Sequence, residues 1–270
     1  MSRSGPKEGE WTSGDDMRGM REEAKRLLSE AKGLGGPITD KDLAGLPGPV
    51  QKYLRLVNVV GKAPVHTVRL RQVGRFRTGP DKRWFPAEAE QYFTTDPPAF
   101  LWYGRIRPAP LLSVTGKDAL IGGKGRLVIK ALSLIKIVDS RGPETDQSEM
   151  VRYLTETIWF PTSWLSPHIR WEEVDERTAR ATLNYGGTAV SADFHFEGGG
   201  LLTHLTADRY YEQGGGYSIQ RWVIPVSDYR DLGGLRIPVR FKVTWELGSG
   251  AFSYFEGEVT GIDYNAAEPY

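Results

Sequence analysis

Glu149, Arg152 and Glu156 stand at i, i+3 and i+7, with Tyr153 beside them and Trp159 and Trp164 just beyond. On a helix that spacing places both carboxylates and the arginine along one face. Carboxylates bracketing an arginine can position a substrate carbonyl, or keep one carboxylate as a base while raising the pKa of the other. A solvated ion pair within the helix is the plainer alternative, because no third chemical group at fixed spacing narrows the choice.

Aromatic side chains are the second chemistry-bearing set. The chain has 8 Trp and 12 Tyr. Trp102, Tyr103, Trp159, Trp164, Trp222, Trp245 and Tyr254 fall on expected strands or beside the central helix. Such rings fill a small barrel, and in a hollow one they line an apolar pocket with a few polar tips. Arg69, Arg71, Arg75 and Arg77 alternate along one strand, so they share a face. A solvated outer face balanced by Glu88 and Glu90 on a neighbouring strand is the simpler reading; facing a cavity, the stripe would hold a carboxylate or phosphate. His195 points opposite to Phe194 and Phe196 on period two, hence outward.

Several signatures are missing. There is no GxSxG elbow, phosphate loop or dinucleotide fingerprint, and the glycines at 122–125 read as a tight turn. With 0 Cys and 4 His, none in an HxH or HExxH pair, thiolate, iron–sulfur and zinc chemistry lose their usual ligands. No cofactor and no metal is therefore expected. Lys and Arg total 35 against 34 acidic residues, a balance that argues against nucleic acid as partner.

The elements that must position these residues follow from periodicity. Residues 15–32 have helical composition, with Met17, Met20, Ala24, Leu27, Leu28 and Ala31 near one face, and a second short helix is expected over 49–57. Residues 1–14 are expected to be loose, 15–60 to form a helical cap, and 61–265 to form the main domain. From 65 onward the pattern is period two, broken by glycine-rich turns, which predicts a meander of about ten antiparallel strands. The spacing of Asp146 and Glu149 suggests a capping box opening a helix over 147–158. The run 127–138, with Lys130, Ser133 and Lys136, is expected to be a strand followed by a short helix. The fold class is mainly β: a strongly curved antiparallel sheet or barrel whose central helix covers or plugs the concave side.

Segments LPGPVQKYLR (46–55), VRLRQVGRFR (68–77), RWFPAEAEQYF (83–93), PPAFLWYGRIRPAPLL (97–112), MVRYLTETIWFPTSWLSP (150–167), RWEEVDERTARATL (170–183) and SDYRDLGGLRIPVRFKVTWEL (227–247) resemble a family of unknown function common in actinomycetes, over residues 46–264. The resemblance implies no reaction, but it raises the weight on the central helix as a site, through Glu149, Arg152, Tyr153, Glu156, Trp159 and Pro161. Relatives often begin with a membrane-spanning or export segment. This chain begins with a polar, charged stretch and has no run of 18 apolar residues, so no stable membrane insertion and a cytoplasmic location are expected.

Three functional readings remain open. The first is a cofactor-free enzyme that folds an extended, mostly apolar substrate such as a polyketide and cyclises it, since preorganisation alone can supply roughly 7 to 11 kcal/mol. Arg152, Tyr153 and Glu156 would polarise a carbonyl, with Glu149 in support. The second is a carrier of lipid or another hydrophobic molecule, which would tolerate Glu156→Gln and Arg152→Met with ligand binding retained. The third is a partner-binding protein with a filled barrel. The oligomeric state is not encoded in any motif.

Overall fold

The computed structural model describes residues 14–33, 35–109, 112–131 and 135–270. Among these, a single antiparallel sheet of thirteen strands dominates. The first six strands are β1 (Thr67–Phe76), β2 (Phe85–Thr95), β3 (Pro98–Ala109), β4 (Leu112–Ile121), β5 (Lys124–Ala131) and β6 (Ile135–Ser140). The remaining seven are β7 (Ile169–Asp175), β8 (Thr178–Tyr185), β9 (Thr188–Phe196), β10 (Leu202–Gln213), β11 (Gly216–Leu232), β12 (Leu235–Leu247) and β13 (Gly250–Tyr264). Three α-helices accompany them: α1 (Gly14–Ser29), α2 (Gly48–Leu56) and α3 (Pro143–Glu156).

Strand order is β6-β5-β4-β3-β2-β1-β13-β12-β11-β10-β9-β8-β7, so the first and last strands of the two halves pair in the middle of the sheet. β6 and β7 are the free edges. The result is a curled half-barrel, open where the two edges do not pair. Strand twist accumulates over thirteen strands, and bulges between Arg71 and Gln72 and between Val243 and Thr244 add bend. The two wings curl until their hairpin tips meet. A Cβ on Gly123 would lie 2.8 Å from the Cα of Gly186, and both residues have positive φ, so only glycine fits this contact.

α3 connects the two edge strands and packs against β3, β4, β5, β8, β9 and β10. It thus lies inside the curl, as the expected plug. Its start differs from expectation. Pro143 occupies the first turn, and Asp146, the expected cap, sits inside the helix with its carboxylate accepting from the Gly125 backbone N–H (2.8 Å) and from Lys124 Nζ (2.8 Å). A tertiary contact to β5 has taken the side chain that local spacing assigned to capping. The helix can approach because residue 125 is glycine; a Cβ there would sit 2.5 Å from the Thr145 carbonyl oxygen. A short 3-10 turn follows at Thr157–Trp159, which is why helical spacing persisted past the end of α3. The expected short helix after residue 131 is instead the edge strand β6; Ser133 lies outside the described residues.

The main core fills one end of the curl. Tyr53 of α2 stacks on Trp164 at 4.8 Å, and Trp164 packs in turn against Trp171 and Phe194. α1 is elsewhere. It lies on the convex side of β2, β3 and β4, where Met20, Ala24, Leu27 and Leu28 pack on Tyr92, Leu101, Tyr103 and Ala119. The arginine stripe of β1 is on the same convex side, paired outward: Arg69 to Asp263 (3.0 Å), Arg71 to Glu90 (3.2 Å) and Arg75 to Glu256 (2.6 Å). His195 also faces out, stacked on His204 at 4.2 Å.

Candidate functional site

Register decides which side chains meet inside the curl. Leu70, Gln91, Trp102, Asp118 and Leu127 form one cross-strand row from β1 to β5, and Gln72, Ala89, Gly104, Gly116 and Ile129 form the next. The glycines in the second row are a bed for Trp102: a Cβ on Gly104 would overlap its ring, and one on Gly116 would approach it to 3.2 Å. Lying flat, the indole donates its N–H to Gln72 Oε1 at 3.2 Å. From the other wing, Ala207, Trp222, Trp245 and Phe252 make the corresponding row, with Arg209 on the same face of β10 as Ala207.

Onto this surface α3 presents Glu149, Arg152 and Glu156. Arg152 donates to Glu156 Oε1 (3.0 Å) and to Asp118 Oδ2, and its guanidinium lies over the rings of Trp102 (5.0 Å) and Phe100 (5.1 Å). Gln91 Nε2 donates to the other Glu156 oxygen at 2.6 Å. Arg209 donates to Glu149 Oε1 at 3.2 Å and lies 4.6 Å from the Trp222 ring centroid. Three carboxylates and two guanidiniums are therefore gathered within the curl, each with a side chain no more than 14% exposed. Five atoms of this cluster are buried without a partner: Gln91 Oε1, Asp118 Oδ1, Glu149 Oε2, Arg209 Nε and Trp222 Nε1. Tyr254 lies beside them, its ring stacked with Trp245 at 6.4 Å.

Burial dominates the electrostatics. It pushes the Glu149 carboxyl up to about 7, and the neighbouring Asp118 charge adds to the rise. Asp118 and Glu156 are also raised by burial, against the pull of Arg152. Burial opposes the charge on Arg152, but the carboxylates of Glu156, Asp118 and Glu149 more than offset it and hold the guanidinium ionised. A carboxyl whose folded pKa is raised contributes stability that is complete below its unfolded value, near 4.5, and lost as pH rises through about 7. We expect Glu149→Gln to flatten the decline in melting temperature between about pH 5 and about pH 8, read by thermal denaturation across buffers. An unchanged slope would mean that Glu149 is solvated.

Beyond the cluster along the strands, the same face presents a partly exposed apolar patch, its mouth. Phe76, Phe85, Ile106, Val114, Ile129 and Phe255 are partly exposed there, on the same face as Trp102 by register.

The structure brings together Glu149, Arg152, Glu156, Trp102, Trp222, Trp245 and Tyr254. It does not bring the rest of the expected set to this place. Tyr103 neighbours Trp102 in β3 and so points to the convex side, where its hydroxyl donates to Glu23 of α1 at 2.6 Å. Tyr153 turns into the core, donating to the Thr94 carbonyl at 3.0 Å, with its phenol pKa raised by burial. Trp159 donates to the Pro238 carbonyl (3.1 Å) and Trp164 to Thr157 Oγ1 (2.9 Å), both as core members. Sequence reasoning missed Gln91, Asp118 and Arg209. The available signal was phase: each is a polar residue in register with apolar neighbours on one strand face, but which face is concave was not readable.

A separate open groove of about 600 Å³ lies across β1, β13, β12 and β11. Its charges pair among themselves, Arg75 and Lys242 with Glu256 and Arg240 with Glu258.

Fold and site together define a class of protein: an open antiparallel half-barrel, plugged by one helix, with a buried polar cluster beside an apolar mouth. The chain belongs to the family of unknown function DUF6544, whose profile matches residues 36–257. Among solved structures, a LolA superfamily protein from Nitrosomonas europaea is similar at 10% identity, with a TM-score of 0.37, over 81% of this chain and 92% of that one. A likeness at that level carries no argument about function. A search of curated proteins gave no significant match. Among the described residues, no helix is long and apolar enough to cross a membrane.

Proposed function

We propose that the protein binds an amphipathic small molecule, its apolar body in the mouth and its polar head on the Asp118–Glu149–Arg152–Glu156–Arg209 cluster. The observation that carries this reading is the set of five unpartnered buried polar atoms beside a partly exposed apolar patch on the same sheet face. Such atoms cost about 1 to 3 kcal/mol each when left unmade, so a bound head group or ordered water is the expected partner. Carriage without chemistry is the favoured form, because Arg152 is held between two carboxylates and Tyr153 is engaged elsewhere. Neither is free to polarise a substrate carbonyl.

Native mass spectrometry of the purified protein, followed by denaturing extraction, is the direct test, with a retained amphiphile as the expected result. Ile106→Asp, which places a charge in the mouth, should abolish retention. A clean mass together with no ligand-induced change in tryptophan fluorescence across an amphiphile panel would exclude the reading.

A second reading, cofactor-free cyclisation of the bound molecule, is supported by one feature: a carboxyl near neutrality, Glu149, set among aromatic rings. It requires turnover of a linear ligand that Glu149→Gln or Glu156→Gln abolishes while binding persists. Arg152→Met is a poor probe here, since it strips two buried carboxylates of their partner.

A further inference from the structure

The unpartnered atoms also say what kind of head group fits, an inference that rests on the binding reading above. With Glu149 ionised, three of the five are acceptors: Gln91 Oε1, Asp118 Oδ1 and Glu149 Oε2. The Gln91 assignment is fixed by its network, because its amide nitrogen must be the atom that meets the Glu156 carboxylate. The two remaining atoms are donors, Arg209 Nε and Trp222 Nε1, on the far wing. Charge leans the same way. Asp118, Glu149 and Glu156 against Arg152 and Arg209 leave one negative charge in excess when all are ionised, and both guanidiniums are already paired.

We infer that the ligand head is an amine or ammonium, with a hydrogen-bond acceptor such as a carbonyl or hydroxyl beside it, not a carboxylate or phosphate. The N–H groups of such a head supply donors to Asp118, Glu149 and Gln91, and the adjacent acceptor meets Arg209 and Trp222. Arg209 already lies over the Trp222 and Trp245 rings, at 4.6 and 5.8 Å, so the selection rests on the acceptor atoms and not on the aromatic walls. An anionic head would meet oxygen lone pairs and, once Glu149 ionises above about pH 7, a net negative field, with no unpaired cation to receive it.

The charged groups facing Glu149 are Asp118 from β4, Arg209 from β10, and Arg152 and Glu156 on its own helix. From β5, Gly125 lies against its side chain, where a Cβ would come within 3.0 Å of Glu149 Cγ. Cation binding and Glu149 ionisation are therefore linked: amine affinity is expected to rise with pH through about 7, while the ligand itself stays protonated to about pH 10.

The test uses the full chain and three probes with one alkyl tail: octylamine, octanol and octanoate, titrated by calorimetry and tryptophan fluorescence. Octylamine is expected to bind about tenfold or more tighter than octanoate, and Glu149→Gln is expected to reduce that preference by about tenfold. The wild-type series needs no variant, so the result stands even if Glu149→Gln is unstable. Equal binding of all three, or preference for octanoate, overturns the amine inference and leaves the binding reading intact. Binding of none, at any pH from about 6 to about 9, overturns the binding reading itself.

Discussion

Arg152→Met should lower stability by about 3 to 5 kcal/mol, because it leaves two buried carboxylates, Asp118 and Glu156, without their shared cation. For a chain of this size that is a fall in melting temperature on the order of 10 °C. The side chains are not wholly enclosed, so water relieves part of the cost and the loss falls toward the lower end of the range. The decisive comparison is the triple variant Arg152→Met, Asp118→Asn, Glu156→Gln. With the uncompensated charges gone, most of the lost stability should return, even though fewer polar contacts remain than in the single variant. Thermal and urea denaturation measure both. A triple variant no more stable than the single one would mean that the cost came from lost packing of the guanidinium on Trp102 and Phe100.

Trp164→Ala should be comparably damaging for a different reason. Trp164 is fully buried, stacked on Tyr53 and packed against Trp171 and Phe194, and its N–H donates to Thr157 Oγ1. Removing such a side chain costs about 3 to 5 kcal/mol through lost burial and the cavity left behind. Trp102→Ala, by contrast, removes a partly exposed ring from the site, and should cost less stability but more ligand affinity. The urea midpoint and the fluorescence titration separate the two variants. A stable Trp164→Ala with impaired binding would return that residue to the ligand-contacting set and displace the core assignment.

The two variants mark where sequence reading stops. Alternation in the strands, glycine-rich breaks and the spacing of Glu149, Arg152 and Glu156 all follow from local backbone geometry. They sufficed for a curved antiparallel sheet with one helix inside it. Tyr103 and Trp102 show the first limit. Adjacent strand residues take opposite faces, so the two could not share a pocket, yet nothing in the sequence says which of them faces the curl. Asp146 shows the second. Its spacing satisfies a capping rule, but the rule knows nothing of β5, whose Gly125 lets the helix come close enough to claim the carboxylate.

By itself, then, the sequence determined the strand periodicity, the turns, the central helix and the facing of three charged residues on it, because those depend on neighbours along the chain. Only the tertiary structure decided that Asp118 of β4 and Arg209 of β10 join them. Those two lie 91 residues apart in the chain and meet because the sheet curls through its pairing of β1 with β13. That curl depends on accumulated twist, bulges and the glycine contact between hairpin tips, quantities that no single strand carries.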